Sequence, residues 1–322
     1  MSKHALSDHF NGRVFFNHQQ QPKIALRHVA KWIATRRTGP WKKGRTNNPH
    51  DKPPPLVDDG TIRITFVNHA TLLIQMDGVN LLTDPIWSKR CSPLSTVGPK
   101  RMRPPGVHFA DLPKINAALV SHNHYDHLDI PTLRLLTLHH PIKIVTGLGN
   151  QALLHKRGMH KTAELDWWEQ TTVSSRVRVT AVPAQHFSGR TLLDRNKTLW
   201  AGYVVEGPSG TVYFAGDTGY SAHFKQIRDQ FGPITVALLP IGAFQPRWFM
   251  HSVHIDPAEA VQAALDLEAK HSIGMHFGTF RLGDDAETEP LEELARVLSA
   301  MPNPIDFVTL DFGEGRQYQT LR

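Results

Sequence analysis

One cysteine, Cys91, stands among the 322 residues, so no disulfide can close within the chain. A reducing compartment, the cytoplasm, is the expected location. No apolar run nears the ~18 residues needed to cross a bilayer, and the first thirty residues hold no signal-peptide apolar core. Short internal repeats and low-complexity tracts are also lacking. Acidic residues are scarce at one end. Residues 1–60 hold 11 Lys and Arg against 4 Asp, while residues 61–322 hold 25 of each sign. The formal charge of +7 therefore belongs to the N-terminal segment. No recognised nucleic-acid module accompanies it, and no nucleic-acid partner is expected.

What is present is a dense cluster of metal-type donors. Residues 121–129 read Ser121-His122-Asn123-His124-Tyr125-Asp126-His127-Leu128-Asp129, after the apolar run Ala117-Ala118-Leu119-Val120. The run reads as a buried strand and the cluster as the loop at its end. In an extended segment, side chains at i and i+2 point the same way, so His122 and His124 can grip one ion. Asp126 and His127 follow a turn and face a second. Downstream, each after its own strand-like stretch, come His186, then Asp217 in Gly216-Asp217-Thr218-Gly219, then His276 in His276-Phe277-Gly278-Thr279. Taken singly, each fits an ordinary core, surface or turn residue. As an ordered set they read as ligands brought to one edge by several strand ends.

These residues carry a resemblance to the metallo-β-lactamase superfamily. Within it, the chain resembles the branch of phospholipases D that hydrolyse N-acylphosphatidylethanolamine. The likeness spans about residues 61 to 315 and includes Leu82-Thr83-Asp84-Pro85-Ile86 and Gly98-Pro99-Lys100-Arg101. It also takes in Glu164-Leu165-Asp166-Trp167-Trp168-Glu169, Pro240-Ile241-Gly242-Ala243 and Pro246-Arg247-Trp248-Phe249-Met250. The ligand set marks the superfamily; the Trp-Trp and Pro-Arg-Trp-Phe-Met segments are narrower and point to the phospholipase-like branch. Asn68-His69 departs from the Gly-His of the matching family segment.

The resemblance implies an α/β fold, an αββα sandwich of two mixed β-sheets flanked by helices, over residues 61–322. It implies His122, His124 and His186 on one divalent ion, Asp126, His127 and His276 on a second, and Asp217 bridging both. Such ions, about 3.5–4 Å apart, share a water of lowered pKa. Zinc is the first expectation, with iron and manganese open for an all-nitrogen-and-oxygen set. No cysteine belongs to this set, unlike the β-lactamases that use one at the second metal. The implied activity is that of a dinuclear phosphodiesterase, in which a metal-bridging hydroxide attacks phosphorus. The products would be phosphatidic acid and an N-acylethanolamine, and the implied assembly is a homodimer. A hydrolase of a soluble phosphodiester or lactone stays open, because superfamily members share ligands yet cleave different bonds. A non-enzymatic binding or regulatory protein on the same scaffold is the third alternative, and the intact ligand set argues against it.

Further positions carry expectations of their own. Asp126, Asp217 and His254 are the candidate catalytic residues, His254 contacting phosphate or assisting proton transfer, or else sitting in a supporting loop. Tyr125, Arg190, Trp248, Phe249 and Met250 are candidate substrate contacts, the last three as an apolar acyl channel. Arg190 is also read as an ion pair with Asp194 that braces the loop. Asp84 and Asp129 are candidate partners of metal-bound histidines, and His69 a supporting residue. In the N-terminal segment, residues 24–37 have helical periodicity, with Leu26, Val29, Ala30 and Ile33 on one stripe and Lys23, Arg27, Lys31, Arg36 and Arg37 as a basic side. The stripe reads either as a face packed on the domain or as a helix on an anionic lipid surface. Residues 38–60, rich in proline, read as an irregular linker. Residues 1–60 are thus a basic extension and linker, and 61–322 the hydrolase domain.

Overall fold

The computed structural model describes residues 4–19, 26–191 and 193–320. Lys23, Ile24 and Ala25 of the N-terminal periodic segment lie outside the described residues. The first sheet draws on β1 (Thr61–Asn68), β2 (Thr71–Met76), β3 (Val79–Thr83), β4 (Ala117–Val120), β5 (Lys143–Gly147) and β6 (Thr162–Leu165). The second is built from β7 (Gln170–Thr172), β8 (Arg178–Val182), β9 (Gly202–Gly207), β10 (Gly210–Phe214), β11 (Val236–Pro240), β12 (His271–Met275) and β13 (Phe307–Val308). The last strand, β14 (Gly315–Gln319), returns to the first sheet beside β1, giving the order β14-β1-β2-β3-β4-β5-β6 against β13-β12-β11-β10-β9-β8-β7. Each sheet mixes antiparallel and parallel pairs.

The helices are α1 (Leu26–Thr35), α2 (Ile130–His139), α3 (Gln151–Lys156), α4 (His223–Phe231), α5 (Arg247–Met250), α6 (Pro257–Asp266) and α7 (Glu289–Ser299). Strand alternation explains the layers. Ile62, Ile64, Phe66, Leu72, Ile74, Leu81, Ala117 and Leu119 face the second sheet and join its residues in the main core. Their neighbours Val67, Leu73, Leu82, Ala118 and Val120 face the other way, onto Leu133 and Leu136 of α2 and Leu154 of α3. The period of two sends successive side chains to opposite faces, and both faces are covered, so the central β4 reads as a continuous apolar run, Ala117-Ala118-Leu119-Val120. On the far side of the second sheet, α4, α6 and α7 supply Phe224, Ile227, Ala260, Ala263 and Leu294. The molecule is an α/β sandwich of two mixed sheets flanked by helices.

Local sequence accounts for the joins. Asp77 and Gly78 both take positive φ, 47° and 79°, the pattern of the tight hairpin turn that joins β2 to β3. Asp256 caps α6 through a capping box with Glu259, with Pro257 at the first helical position.

The described part of residues 1–60 lies folded onto the sandwich. Phe10 and Phe15 are buried in the main core. Gln75 donates to the Pro54 carbonyl at 2.8 Å, and Trp41 Nε1 donates to the Asp285 carbonyl at 3.0 Å. Helix α1 differs from the expected packed stripe. Its docking residue is Trp32, which stacks on Phe249 at 4.9 Å and donates from Nε1 to Asp284 at 3.1 Å. Ile33 on the apolar stripe is 67% exposed. Trp32, with an apolar face and a polar edge, anchors the helix together with Arg36, which pairs with Asp284 at 2.8 Å and donates to the Gly283 carbonyl at 3.0 Å; of the stripe, Val29 is half-buried while Ala30 and Ile33 face solvent.

Candidate metal centre

The donors arrive on strand ends. β4 runs into the loop carrying His122, His124, Asp126 and His127; β8 ends before His186, β10 before Asp217 and β12 before His276. His69 joins them from the β1–β2 turn. The chains meet closely there. Gly216 takes φ +62°, and a Cβ on it would stand 2.7 Å from Ser121 Cβ, so only glycine lets the β10 loop lie against the β4 loop.

Two groups form. The ligand atoms of His122, His124 and His186 lie within 4.8 Å of one another, as do those of His69, Asp126, His127 and His276. Asp217 stands between them. Its Oδ2 is 3.1 Å from His127 Nε2, 3.8 Å from His186 Nε2 and 4.0 Å from His122 Nε2, and its Oδ1 is 3.2 Å from His276 Nε2. His69 Nε2 lies 3.0 Å from Asp126 Oδ2, inside the second group. All these residues except His124 and Asp126 are buried outright.

The donor set suits a cation. His127 Nε2, His276 Nε2 and Asp217 Oδ1 are buried atoms without a geometrically sound hydrogen bond, although charged neighbours stand about them. Buried polar atoms left in this state are costly unless something binds them. Imidazole nitrogens and carboxylate oxygens converging in a dry site are zinc, iron or manganese donors.

Burial and charge divide the histidines. Burial holds His122 and His186 well below the usual imidazole range, and brings His124 and His254 down to about 4 and His69 to about 3. These five are neutral at pH 7, as ligands must be. Burial opposes the charged form of His127 and His276 too, but the carboxylate of Asp217, with Asp126, overcomes it. His127 is pushed well above the usual range and His276 up to about 9. In Asp126 and Asp217, burial works upward and the positive charge on His127 prevails, so both stay ionised.

A ring of fixed partners orients the donors. The buried Asp84 accepts from Ser121 N at 2.7 Å and Ser121 Oγ at 2.6 Å, and pairs with His127 Nδ1 at 2.6 Å. His186 Nδ1 reaches the Val253 carbonyl at 2.9 Å. The His186 backbone is clamped from a distant part of the chain. Asn17 Nδ2 donates to the His186 carbonyl at 2.9 Å, and Asn17 Oδ1 accepts from His186 N at 3.2 Å and from Trp200 Nε1 at 2.9 Å. A lone asparagine far from the ligands carries no sequence signal of this role.

Several expectations need correction. Asp129 does not touch a histidine: its carboxylate takes Ser88 Oγ at 2.9 Å and Thr132 Oγ1 at 2.6 Å, fastening the start of α2. Arg190 and Asp194 do not pair through the guanidinium. Asp194 accepts from the backbone N–H groups of Arg190 and Thr191, at 2.9 and 2.7 Å. Arg190 Nη1 donates to the carbonyls of Asn123 and Leu128, at 2.8 and 2.9 Å, and its guanidinium lies 3.8 Å from the Tyr125 ring centroid. Its structural bracing is thus of the ligand loop itself. Of the expected acyl channel, Met250 is buried and Phe249 is engaged with Trp32, whereas Trp248 is 44% exposed. His254 stands at the cluster, its Nδ1 4.0 Å from Asp217 Oδ2. Cys91 is buried and belongs to none of the donor groups among the described residues, and burial, with the charge of Asp126, pushes its thiol up.

Two sheets with His and Asp donors gathered on one edge define a metal-dependent hydrolase. The chain matches the Beta-lactamase superfamily domain over residues 79–277, and it belongs to that superfamily. It is 40% identical over 263 residues to the N-acyl-phosphatidylethanolamine-hydrolyzing phospholipase D 1 of Caenorhabditis elegans, covering 78% of this chain and 74% of that one. It is 37% identical over 236 residues to the mitochondrial N-acyl-phosphatidylethanolamine-hydrolyzing phospholipase D of Saccharomyces cerevisiae, covering 71% of this chain and 50% of the yeast protein. Among solved structures, Igni18, a metallo hydrolase of Ignicoccus hospitalis, shares the fold with a TM-score of 0.61 at 22% identity, over 80% of this chain and 98% of that one.

Two outcomes are expected. Metal binding at pH 7 must expel the protons held by His127 and His276, so it releases protons and tightens as pH rises toward about 9, where His276 gives up its own. Calorimetry in buffers of different ionisation enthalpy reads this directly; identical heats in all buffers would contradict it. Replacing Asn17 with Ala should weaken metal binding by about 10-fold through a loosened His186, as read by competition with a chromophoric chelator.

Proposed function

We propose that the chain is a dinuclear phosphodiesterase that cleaves N-acylphosphatidylethanolamine-type phospholipids to phosphatidic acid and N-acylethanolamine. The observation that carries this reading is the position of Asp217 within reach of both donor groups, together with the likeness to the worm and yeast phospholipases. On this reading His122, His124 and His186 hold one ion and Asp126, His127 and His276 the other, with Asp217 shared and His69 beside the second. Two divalent cations, zinc first by their donors, would supply Lewis acidity and a water acidified toward neutrality. The side chains do the remainder. Asp84 and the Val253 carbonyl hold the rings of His127 and His186 in one tautomer each. His254 is neutral and its Nδ1 lacks a hydrogen-bond partner, so we assign it the acceptor of the proton released as water attacks phosphorus, which it then passes to the leaving oxygen.

The substrate class draws support from a cavity of about 830 Å³ beside the ligand loop. Asn123 and Tyr125 open onto it, Lys89, Arg90 and Arg157 give it positive charge, and Leu94 and Leu153 give it apolar wall. An anionic diester with acyl chains needs both kinds of surface. Lipid contact is assigned to α1, which exposes Ile33 and whose Lys31 ammonium lies 4.7 Å from the ring centroid of the exposed Trp248 of α5.

Metal-loaded protein and its Asp217→Asn variant, each given N-acylphosphatidylethanolamine in mixed micelles, should differ by more than 100-fold in product formation seen by mass spectrometry, as about 2.7 kcal/mol of lost transition-state stabilisation would give. No turnover by metal-loaded wild-type protein would remove the lipid substrate and direct attention to soluble phosphodiesters and lactones. Binding to anionic vesicles should fall as salt rises and should drop with Ile33→Asp; salt-independent binding would overturn the lipid contact.

A further inference from the structure

A second cluster of metal-type donors lies in the N-terminal segment, apart from the centre described above. Asp8, His9 and His18 offer three ligand atoms within 4.8 Å of one another. His9 Nδ1 is 2.6 Å from Asp8 Oδ1, and His18 Nε2 is 3.1 Å from Asp8 Oδ2. The other nitrogen of His9, Nε2, lies 2.6 Å from Asp166 Oδ1 on the sandwich. We propose that Asp8, His9 and His18 form a structural site for a divalent cation, zinc by its donors, with Asp166 as the carboxylate that orients His9.

Geometry carries the argument. A metal-bound imidazole ordinarily donates its second N–H to a carboxylate, which fixes the ring. Asp166 is that carboxylate for His9 Nε2, which leaves Nδ1 turned toward Asp8. Asp8 offers its other oxygen to His18, so one carboxylate draws both rings to the same point. A divalent cation there would meet a nitrogen of each ring and the Asp8 carboxylate, a mixed donor set that zinc takes.

The rings are also held in place. His9 stacks on Trp167 at 4.3 Å between centroids, and His18 meets the same indole edge-on at 4.9 Å. His9 is buried, while Asp8 and His18 border an open groove that leaves room for a water as fourth ligand. Loading exchanges one ion for any proton on His9 Nδ1, which passes to solvent.

The site would act as a clasp. It ties the N-terminal strap to the turn after β6 at residues directly beside Asn17, the side chain that grips the His186 backbone. The strap is thereby held at both sides of that grip, by Phe10 and Phe15 in the core and by the cation. This inference is independent of the substrate assignment and holds for any hydrolase built on this chain.

The test compares full-length protein with His18→Gln and Asp8→Asn, each equilibrated in zinc-buffered solution and assayed for zinc per chain by mass spectrometry. The Asp8 side chain is 72% exposed and that of His18 35%, and circular dichroism checks that both variants keep the fold. Wild-type protein should hold one more zinc per chain than either variant. Its Trp167 emission should shift on zinc addition where the variants' does not, and trypsin should cut after Arg13 several-fold more slowly with zinc than without. Equal zinc content in all three proteins would overturn the proposal and leave His9 as a protonated staple between Asp8 and Asp166.

Discussion

The carboxylate of Asp84 sits where β3 ends and the ligand loop begins, with no access to water. It is met by a backbone N–H, a hydroxyl and an imidazole, and those three contacts set the path of the loop. Burying a charge this deeply is unfavourable unless donors surround it. Here the donors belong to the very segment that must be aimed, so satisfying the carboxylate and orienting the cluster are one event. Ser121 passes the constraint on to His122, whose Nδ1 lies 2.9 Å from its hydroxyl, and His127 passes it to Asp217. The two sheets then need only bring their strand ends to the same edge.

That dependence explains the division among the histidines. Five are kept neutral chiefly by burial, helped by the positive charge of neighbouring histidines, which together outweigh the carboxylates near them. Two lie against the carboxylates and hold protons until something more positive replaces them. The site is thus held together by opposite charges that a bound cation would rearrange rather than create.

How much was legible in the sequence follows from how local each feature is. His122, His124, Asp126 and His127 fall within six positions on one loop, so spacing alone groups them. His186, Asp217 and His276 each follow an apolar strand run, and strand ends on one edge are a regular property of layered sheets. Asp256 announces α6 by a cap and a following proline. Other features depend on where distant chain comes to rest, and no spacing encodes that. Asn17 is 169 positions from His186. Asp129 looked like a histidine's partner because it is next to the cluster, yet the start of α2 turns it away. Arg190 and Asp194 were correctly grouped, but the loop geometry gave the carboxylate to backbone N–H groups and the guanidinium to carbonyls. On α1 the contacts come from Trp32 and the adjoining Arg36, while Ile33 of the apolar stripe faces solvent, a split that periodicity does not encode.

The matched superfamily segment begins at residue 79, one strand pair into the first sheet, and ends at residue 277. Strands β14, β1 and β2 lie outside it, yet they form nearly half of that sheet, and Phe10 and Phe15 fill its core. The segment that marks the superfamily is therefore smaller than the stretch that folds. A chain trimmed to the matched segment would lose three of the seven strands of the first sheet and the two phenylalanines that close the main core, so the smallest unit able to hold its shape is wider than the segment that marks the superfamily.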